Sequence, residues 1–96
     1  MSISPWLKIE KYPGVYGRVL VLPKMTIGRD PKNDLVLADR SISSHHNTVW
    51  IENDKVYIKD EGSTNGTFVN GERVEEHVLS NGDEIQIGDT HLQFQG

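Results

Sequence analysis

Three polar segments of the chain carry the residue types that could bind a charged ligand. The first is Gly28-Arg29, where a glycine at the end of an apolar run precedes an arginine. The second, Asp39–His46, holds three serines and two histidines in eight residues. The third, Glu61–Gly71, carries two hydroxyl side chains followed by Asn65. Because arginine and serine side chains donate hydrogen bonds, and serine-rich loops expose backbone N–H groups, these segments favour the binding of an anion.

A catalytic site and a metal site are the alternative interpretations of the same residues. Asp39, Ser43 and His46 are the residue types of a hydrolase triad, but Ser43 and His46 lie three positions apart and the chain has no Gly-x-Ser-x-Gly motif. His45 and His46 are neighbours, and adjacent strand residues point to opposite faces, so the two rings are not expected to share a metal. We therefore predict that the chain is not an enzyme and holds neither a metal nor a cofactor.

The composition excludes several other classes of protein. The 96 residues carry a formal net charge of −4, whereas nucleic-acid-binding domains are usually basic. There is no apolar run near the ~18 residues that a membrane helix needs, which argues against a membrane-spanning protein. There are no cysteines, which excludes disulfide scaffolds and cysteine-based sites. The first residues lack the features of a signal peptide, so a cytoplasmic location is expected, with the nucleus as the alternative in a eukaryote. We predict that the partner is neither nucleic acid nor membrane.

The composition favours β-strands over helices. One alanine stands against nine valines and eight isoleucines, and β-branched residues prefer strands. Apolar and polar residues alternate in Lys55–Lys59, Glu84–Ile87 and His91–Gln95, which is typical of a sheet with one buried face. Gly17–Leu22 instead ends in a continuous apolar run, which predicts a central strand covered on both sides.

Turn sequences such as Asn65-Gly66, Asn70-Gly71 and Asn81-Gly82 separate these segments at short intervals. The pattern predicts a single all-β domain over residues 1–96, a sandwich or a barrel, in which residues 1–4 form a loose tail. The predicted strands are Trp6–Tyr12, Gly17–Leu22, Met25–Gly28, Leu35–Leu37, Asn47–Glu52, Lys55–Asp60, Thr67–Val69, Arg73–Val74, Val78–Leu79, Glu84–Ile87 and Thr90–Phe94.

In this order and at these spacings, the three polar segments resemble the forkhead-associated (FHA) domain family. The resemblance rests on Gly28-Arg29, on Ser43-Ser44-His45-His46 and on the stretch Gly62–Gly71, and the flanking strands extend it over nearly the whole chain. It implies an eleven-stranded, antiparallel-rich β-sandwich of the FHA/SMAD-like kind, with ligand loops at one end, and a module of a larger protein. It also implies a function, the recognition of phosphothreonine in extended segments of partner proteins in Ser/Thr kinase signalling.

The same resemblance implies a role for each residue of the site. Arg29, Ser43 and Thr64 match family residues that contact the phosphate, and Asn65 matches an asparagine that binds the peptide backbone. His46 matches a histidine that braces the loops. Structural support of the site is expected from Gly28, His46, Gly66, Asn70 and Gly71.

Two positions depart from the family pattern. Ser44 stands where the family often has a basic residue or asparagine that also faces the phosphate, so Arg29 is predicted to supply the only formal positive charge of the pocket. Asn47 stands where the family usually has a small or apolar residue. The alternative function is an FHA-fold scaffold or oligomerisation module that binds proteins independently of phosphorylation. The joint presence of Arg29, Ser43, Thr64 and Asn65 favours phosphopeptide recognition.

Overall fold

The computed structural model describes residues 4–11 and 17–96, and this part of the chain is built from β-strands. They are β1 (Trp6–Lys11), β2 (Gly17–Leu20), β3 (Lys24–Gly28), β4 (Leu35–Val36), β5 (Asn47–Glu52), β6 (Lys55–Asp60), β7 (Thr67–Val69), β8 (Glu72–Val74), β9 (Glu76–Leu79), β10 (Glu84–Ile87) and β11 (Thr90–Gln95). The predicted all-β class with eleven strands is confirmed. The predicted strand end at Tyr12, and residues 1–3 of the predicted tail, lie outside the described residues. No helix in the described ranges is long and apolar enough to cross a membrane.

The strands form a sandwich of two sheets. One sheet has the order β2-β1-β11-β10-β7-β8 and the other the order β4-β3-β5-β6-β9. Within the described residues the paired strands are antiparallel, except that β3 and β4 run parallel. The core lies between the sheets and is built from alternating apolar side chains such as Ile27, Ile58, Ile85 and Leu92, all of them buried. The alternation predicted for β6, β10 and β11 is therefore confirmed.

The prediction of a central strand at Gly17–Leu22 is wrong. β2 is an edge strand that pairs with β1, and its regular structure ends at Leu20. Leu20 is 45% exposed and Leu22 is 42% exposed, whereas Val21 is buried. A continuous apolar run predicts burial on both faces of the strand. A two-sheet sandwich covers only one face of each sheet, so Leu20 and Leu22 remain in contact with solvent.

Two tight turns have the backbone conformation that their sequences predict. Asn53 and Asp54 both have positive φ angles, 53° and 61°, between β5 and β6. Asn70 and Gly71 have φ angles of 52° and 85° between β7 and β8. Positive φ at both central residues is the type I′ geometry that matches the twist of the strands. These turns fix the register of two hairpins.

The sheet register brings the ends of β3, β5 and β6 to the same end of the sandwich. Ile27 at the end of β3 pairs with Asn47 at the start of β5, and Asn47 pairs with Asp60 at the end of β6. Thr67, the first residue of β7 in the other sheet, accepts a hydrogen bond from Asn47 and donates one to Asp60. The loops that leave these strand ends are therefore held beside one another.

Candidate functional site

The three polar segments singled out in the sequence meet at this end of the sandwich. They are the connection after β3 with Arg29, the β4–β5 connection with Ser43 and Ser44, and the β6–β7 connection with Thr64 and Asn65. Backbone hydrogen bonds join the first two, because the N–H of Arg29 donates to the Ser43 carbonyl and the N–H of Asp30 donates to the Ser44 carbonyl. A side-chain contact joins the last two, because Thr64 N–H donates to Ser43 Oγ over 3.1 Å.

Gly28 permits the first of these contacts by its lack of a side chain. A Cβ atom at this position would lie 2.3 Å from the Ser44 carbonyl oxygen and 2.6 Å from Asn33 Nδ2. Asn33 Nδ2 itself donates to the Ser44 carbonyl, at 2.6 Å, and to the carbonyl of Asp30. The Ser44 segment therefore packs closely against the end of β3, and Asn33 is a supporting residue that was not predicted from the sequence.

Arg29 and Ser44 have side chains that remain free for a ligand. Both residues are exposed. Within the described residues the Arg29 guanidinium forms no hydrogen bond and no ion pair, and the Ser44 hydroxyl forms no hydrogen bond. The backbone of each is fixed by the contacts just described, so two free donor groups project from an ordered rim.

Ser43 has a hydroxyl whose orientation is set by the neighbouring loop. Its oxygen accepts from the Thr64 N–H, which leaves the hydroxyl hydrogen available to donate elsewhere. Ser43 is half-buried and Thr64 is exposed. The two hydroxyl groups and the Arg29 guanidinium are thus carried by three adjoining segments, as an anion with several acceptor oxygens requires.

His46 braces the two serine- and threonine-bearing loops from below. It is fully buried, its Nδ1 accepts from the Ser43 N–H at 3.1 Å, and its Nε2 lies 2.9 Å from the Gly66 carbonyl oxygen. The ring therefore carries its proton on Nε2, since Nδ1 is the acceptor. His45, by contrast, is exposed and its Nδ1 lies 3.2 Å from Asn33 Oδ1. The two rings diverge, as the sequence predicts.

Asp60 is the partly buried anchor of the β6–β7 loop, a role that was not predicted from the sequence. Its carboxylate accepts from the N–H and hydroxyl of Ser63 and from the hydroxyl of Thr67. The Ser63 oxygen in turn accepts from the Gly66 N–H. Burial by itself would raise the pKa of Asp60, but the hydrogen bonds from Ser63 and Thr67 outweigh it and hold the pKa below its usual value. The spacing Asp60-x-x-Ser63 is the signal that could have identified this anchor.

The pKa of Asp60 leads to an expected dependence of stability on pH. A carboxylate with a lowered pKa in the folded state stabilises the fold above the unfolded-state pKa, and this stabilisation is lost as the pH falls through the folded pKa. We expect Asp60→Asn to lower the free energy of unfolding by about 1–3 kcal/mol at neutral pH, because donors lose their charged acceptor. Its loss of stability between about pH 5 and pH 3 should also be smaller than in the unmodified chain.

Denaturant titrations across this pH range are the measurement. Asp54→Asn is the matched control, because Asp54 lies exposed in the β5–β6 turn and asparagine tolerates its positive φ. An Asp60→Asn profile that parallels the unmodified chain would contradict the assigned role of the carboxylate.

Asn65 lies on the exposed rim and is tied to the β4–β5 loop. Its Nδ2 donates to the Ser41 carbonyl at 2.8 Å. Ser41 is itself held by Asp39, whose carboxylate accepts from the Ser41 N–H and hydroxyl and from the Thr90 hydroxyl. Burial of Asp39 opposes its ionisation, but the Ser41 and Thr90 hydrogen bonds outweigh it and lower the pKa. This second network was also missed from the sequence, and it leaves the Asn65 Oδ1 atom free to accept from a ligand.

Asn47 is part of the support beneath the loops and not an exposed residue. It is fully buried, and its Nδ2 donates to Thr67 Oγ1 at 2.8 Å and to the Lys59 carbonyl at 3.2 Å. An amide at this position therefore links the two sheets through Thr67, and this accounts for a polar residue where the family usually has an apolar one.

The site does not include the predicted supporting residues Asn70 and Gly71. They form the turn at the other end of β7, and Asn70 side-chain hydrogen bonds go to Asp83 and to the N–H of Glu84. Their role is to shape the β7–β8 hairpin. Gly66 does lie in the site, where its buried carbonyl meets His46.

The geometry favours anion binding over catalysis or metal binding. His46 Nδ1 accepts the backbone N–H of Ser43 and Nε2 is engaged with Gly66, so neither ring nitrogen is available as a base for the Ser43 hydroxyl. The described ranges contain no group of three or more His, Cys, Asp or Glu side chains placed to hold a metal ion. What the loops do present is the free guanidinium of Arg29 together with several hydroxyl groups.

Comparisons with known proteins agree with this arrangement. The "Glycogen accumulation regulator GarA" of Mycobacterium tuberculosis is 40% identical over 92 residues, which cover 95% of this chain and 57% of that protein. The "Oxoglutarate dehydrogenase inhibitor" of Corynebacterium efficiens is 39% identical over 92 residues, 95% of this chain and 65% of that one. The chain thus spans about three fifths of the length of these relatives.

A solved structure and a family model complete the comparison. The structure is described as "Structural and functional analysis of phosphothreonine-dependent FHA domain interactions". It is superposed with a TM-score of 0.90 at 26% sequence identity, covering 98% of this chain and 97% of the other. The family model of the FHA domain matches residues 25–88, the segment that contains all three loops. The chain belongs to the FHA domain family.

Proposed function

We propose that the chain is a phosphopeptide-binding signalling module that recognises phosphothreonine in extended segments of partner proteins. The observation that carries the proposal is the joining of three loop segments at one end of the sandwich. The Arg29 backbone N–H donates to the Ser43 carbonyl and the Thr64 N–H donates to Ser43 Oγ, while the Arg29 guanidinium stays free. Ser44 and Thr64 are exposed residues of the same segments and add hydroxyl groups. A phosphothreonine carries a charge of about −1.5 to −2 and three strong acceptor oxygens at neutral pH. One charge-assisted hydrogen bond from arginine and several from hydroxyl groups would satisfy these oxygens.

The net charge of −4 does not oppose this function. Interactions between exposed charges are screened beyond ~8 Å at physiological salt, so the field at the loops is set by nearby groups. Arg29 is the cation that the sequence places in the pocket, since Ser44 replaces the basic residue common in the family. We infer that the phosphate-binding energy depends mainly on this one guanidinium.

The relatives support a regulatory role. The solved structure concerns phosphothreonine-dependent FHA domain interactions, and the two curated relatives are named as a regulator and an inhibitor. FHA domains are binding modules. This agrees with His46, because both of its ring nitrogens form hydrogen bonds within the loops and neither can act as a catalytic base. We infer that the chain is a single binding module of a cytoplasmic regulatory protein whose partner is threonine-phosphorylated by a Ser/Thr kinase.

Phosphothreonine should bind more tightly than phosphoserine. Both residues present the same phosphate to Arg29 and Ser43, so the difference is one methyl group. Burial of a methyl group is worth about 0.8 kcal/mol, and β-branching restricts the side chain before binding. With the added cost of an empty pocket, about 10- to 200-fold discrimination is expected. Asn65 and the backbone after Ser63 are the proposed walls of the methyl pocket.

Isothermal calorimetry with three peptides of one sequence tests the proposal. The peptides differ only in carrying phosphothreonine, phosphoserine or unmodified threonine. The proposal predicts binding in that order of affinity, with unmodified threonine the weakest. Equal affinity for phosphothreonine and threonine would favour the scaffold alternative. Equal affinity for the two phosphorylated peptides would show that the loops recognise charge without the methyl group.

A further inference from the structure

Arg73 on β8 lies against the β6–β7 loop although it belongs to none of the three polar segments. β8 pairs with β7, so that Arg73 is opposite Phe68 and close to the start of β7. A Cβ atom built on Gly66 would lie 2.8 Å from Arg73 Nε and 3.0 Å from its Cζ. The guanidinium group therefore covers the side of Gly66 where any other residue would carry its side chain.

This seat is rigid. The Gly66 N–H donates to Ser63 Oγ and the Gly66 carbonyl meets His46 Nε2, so both polar groups of the residue are held by buried side chains. Gly66 also has a φ angle of 85°, a conformation that other residues rarely adopt. Glycine is therefore required at position 66 for two reasons: the positive φ angle, and the space that the Arg73 side chain occupies.

The charge of Arg73 has no partner in the described part of the chain. Arg73 is exposed, and its guanidinium forms no hydrogen bond or ion pair with any described residue. Arg18 differs, since its guanidinium lies over the Trp6 ring at 5.1 Å. Arg73 therefore presents a fixed fork of N–H donors to solvent beside the candidate site.

A chain of contacts links Arg73 to the phosphate-binding residues through the β6–β7 loop. The backbone N–H groups of Arg29 and Thr64 donate hydrogen bonds to Ser43, and Thr64 is followed in sequence by Asn65 and then by Gly66, which lies against Arg73. An extended peptide advances ~3.3 Å per residue. A ligand with its phosphate at Arg29 and its backbone at Asn65 would therefore bring a side chain a few residues away to the Arg73 guanidinium.

We propose that Arg73 is a second anion subsite, which binds the carboxylate of an aspartate or glutamate flanking the phosphothreonine and so sets a sequence preference. The inference rests on the proposed function. A guanidinium binds a carboxylate through two parallel hydrogen bonds, and an arginine already held by packing loses less freedom on binding.

Peptide pairs test this subsite. Each phosphothreonine peptide carries either aspartate or asparagine at one flanking position, and the position is moved stepwise along the peptide. For the unmodified chain we expect at least one position at which aspartate improves affinity by about three- to tenfold. Arg73→Gln should abolish that improvement while it keeps the preference for phosphothreonine over threonine.

Lys55→Gln is the matched control. It removes the same charge from an exposed residue at the other end of the sandwich, after the β5–β6 turn, and should retain the aspartate preference. Thermal melts of both variants check that the fold is intact. An aspartate preference that persists in Arg73→Gln, or its absence at every position, would overturn this inference and leave the proposed function standing. If no phosphothreonine peptide binds better than its unmodified twin, the proposed function fails and this subsite fails with it.

Discussion

Arg29→Ala is expected to weaken phosphothreonine-peptide binding by about 2–5 kcal/mol, the loss found when one partner of a close charge pair is removed. Arg29 is the one cation assigned to the phosphate, and Ser44 beside it offers only a hydroxyl group. Stability should stay within about 0.5 kcal/mol, because the side chain is exposed and makes no contact with described residues that its removal would break.

Calorimetry and denaturant unfolding of the same preparation separate these two effects. Arg40→Ala is the matched control, since Arg40 is an exposed arginine of the β4–β5 connection to which the proposed pocket assigns no phosphate contact. It should weaken binding far less than Arg29→Ala, because the field of an exposed charge is screened by salt. An Arg29→Ala variant with nearly unchanged affinity would show that the phosphate binds elsewhere.

His46→Ala is expected to reduce both stability and affinity. The ring is fully buried and joins the Ser43 N–H to the Gly66 carbonyl, so alanine leaves a cavity and two unpaired backbone groups. Each unpaired group costs about 1–3 kcal/mol, and we expect a loss of about 2–5 kcal/mol in the free energy of unfolding. Affinity should fall as well, because the ring holds the Ser43 and Gly66 loops in register.

His45→Ala provides the comparison within the same tetrapeptide. Its ring is exposed and meets only Asn33, so its removal should shift stability by less than about 0.5 kcal/mol. Urea unfolding and peptide titration are measured on both variants. Intact stability together with abolished binding in His46→Ala would indicate that the histidine contacts the ligand directly.

The strands could be predicted from the sequence because their signal is local. A strand with one buried face alternates apolar and polar residues, and β6, β10 and β11 do so without interruption. β2 was misassigned for a related reason. Leu20 and Leu22 are apolar like core residues, but whether a second layer covers them depends on the position of the strand within its sheet.

The ligand-facing residues of the loops could also be predicted, whereas the contacts that support them from beneath could not. Arg29, Ser43 and Asn65 lie in short motifs that are visible along the chain. Asn47 lies beneath them and bonds to Thr67, which is 20 positions away and in the opposite sheet, so no local pattern reveals this contact. Arg73 meets Gly66 for the same kind of reason, through the pairing of β8 with β7.

A ¹H–¹⁵N nuclear magnetic resonance titration shows whether the loops at one end of the sandwich bind phosphothreonine. On addition of a phosphothreonine peptide, we expect the largest shifts at the amides of Arg29, Ser43, Ser44, Thr64 and Asn65. The unphosphorylated peptide at the same concentration should leave these amides unchanged. Equal shifts with both peptides would show that the loops do not recognise the phosphate. Shifts confined to β5 and β6, where the rings of Trp50 and Tyr57 stack 5.2 Å apart, would place the ligand on the sheet instead of the loops.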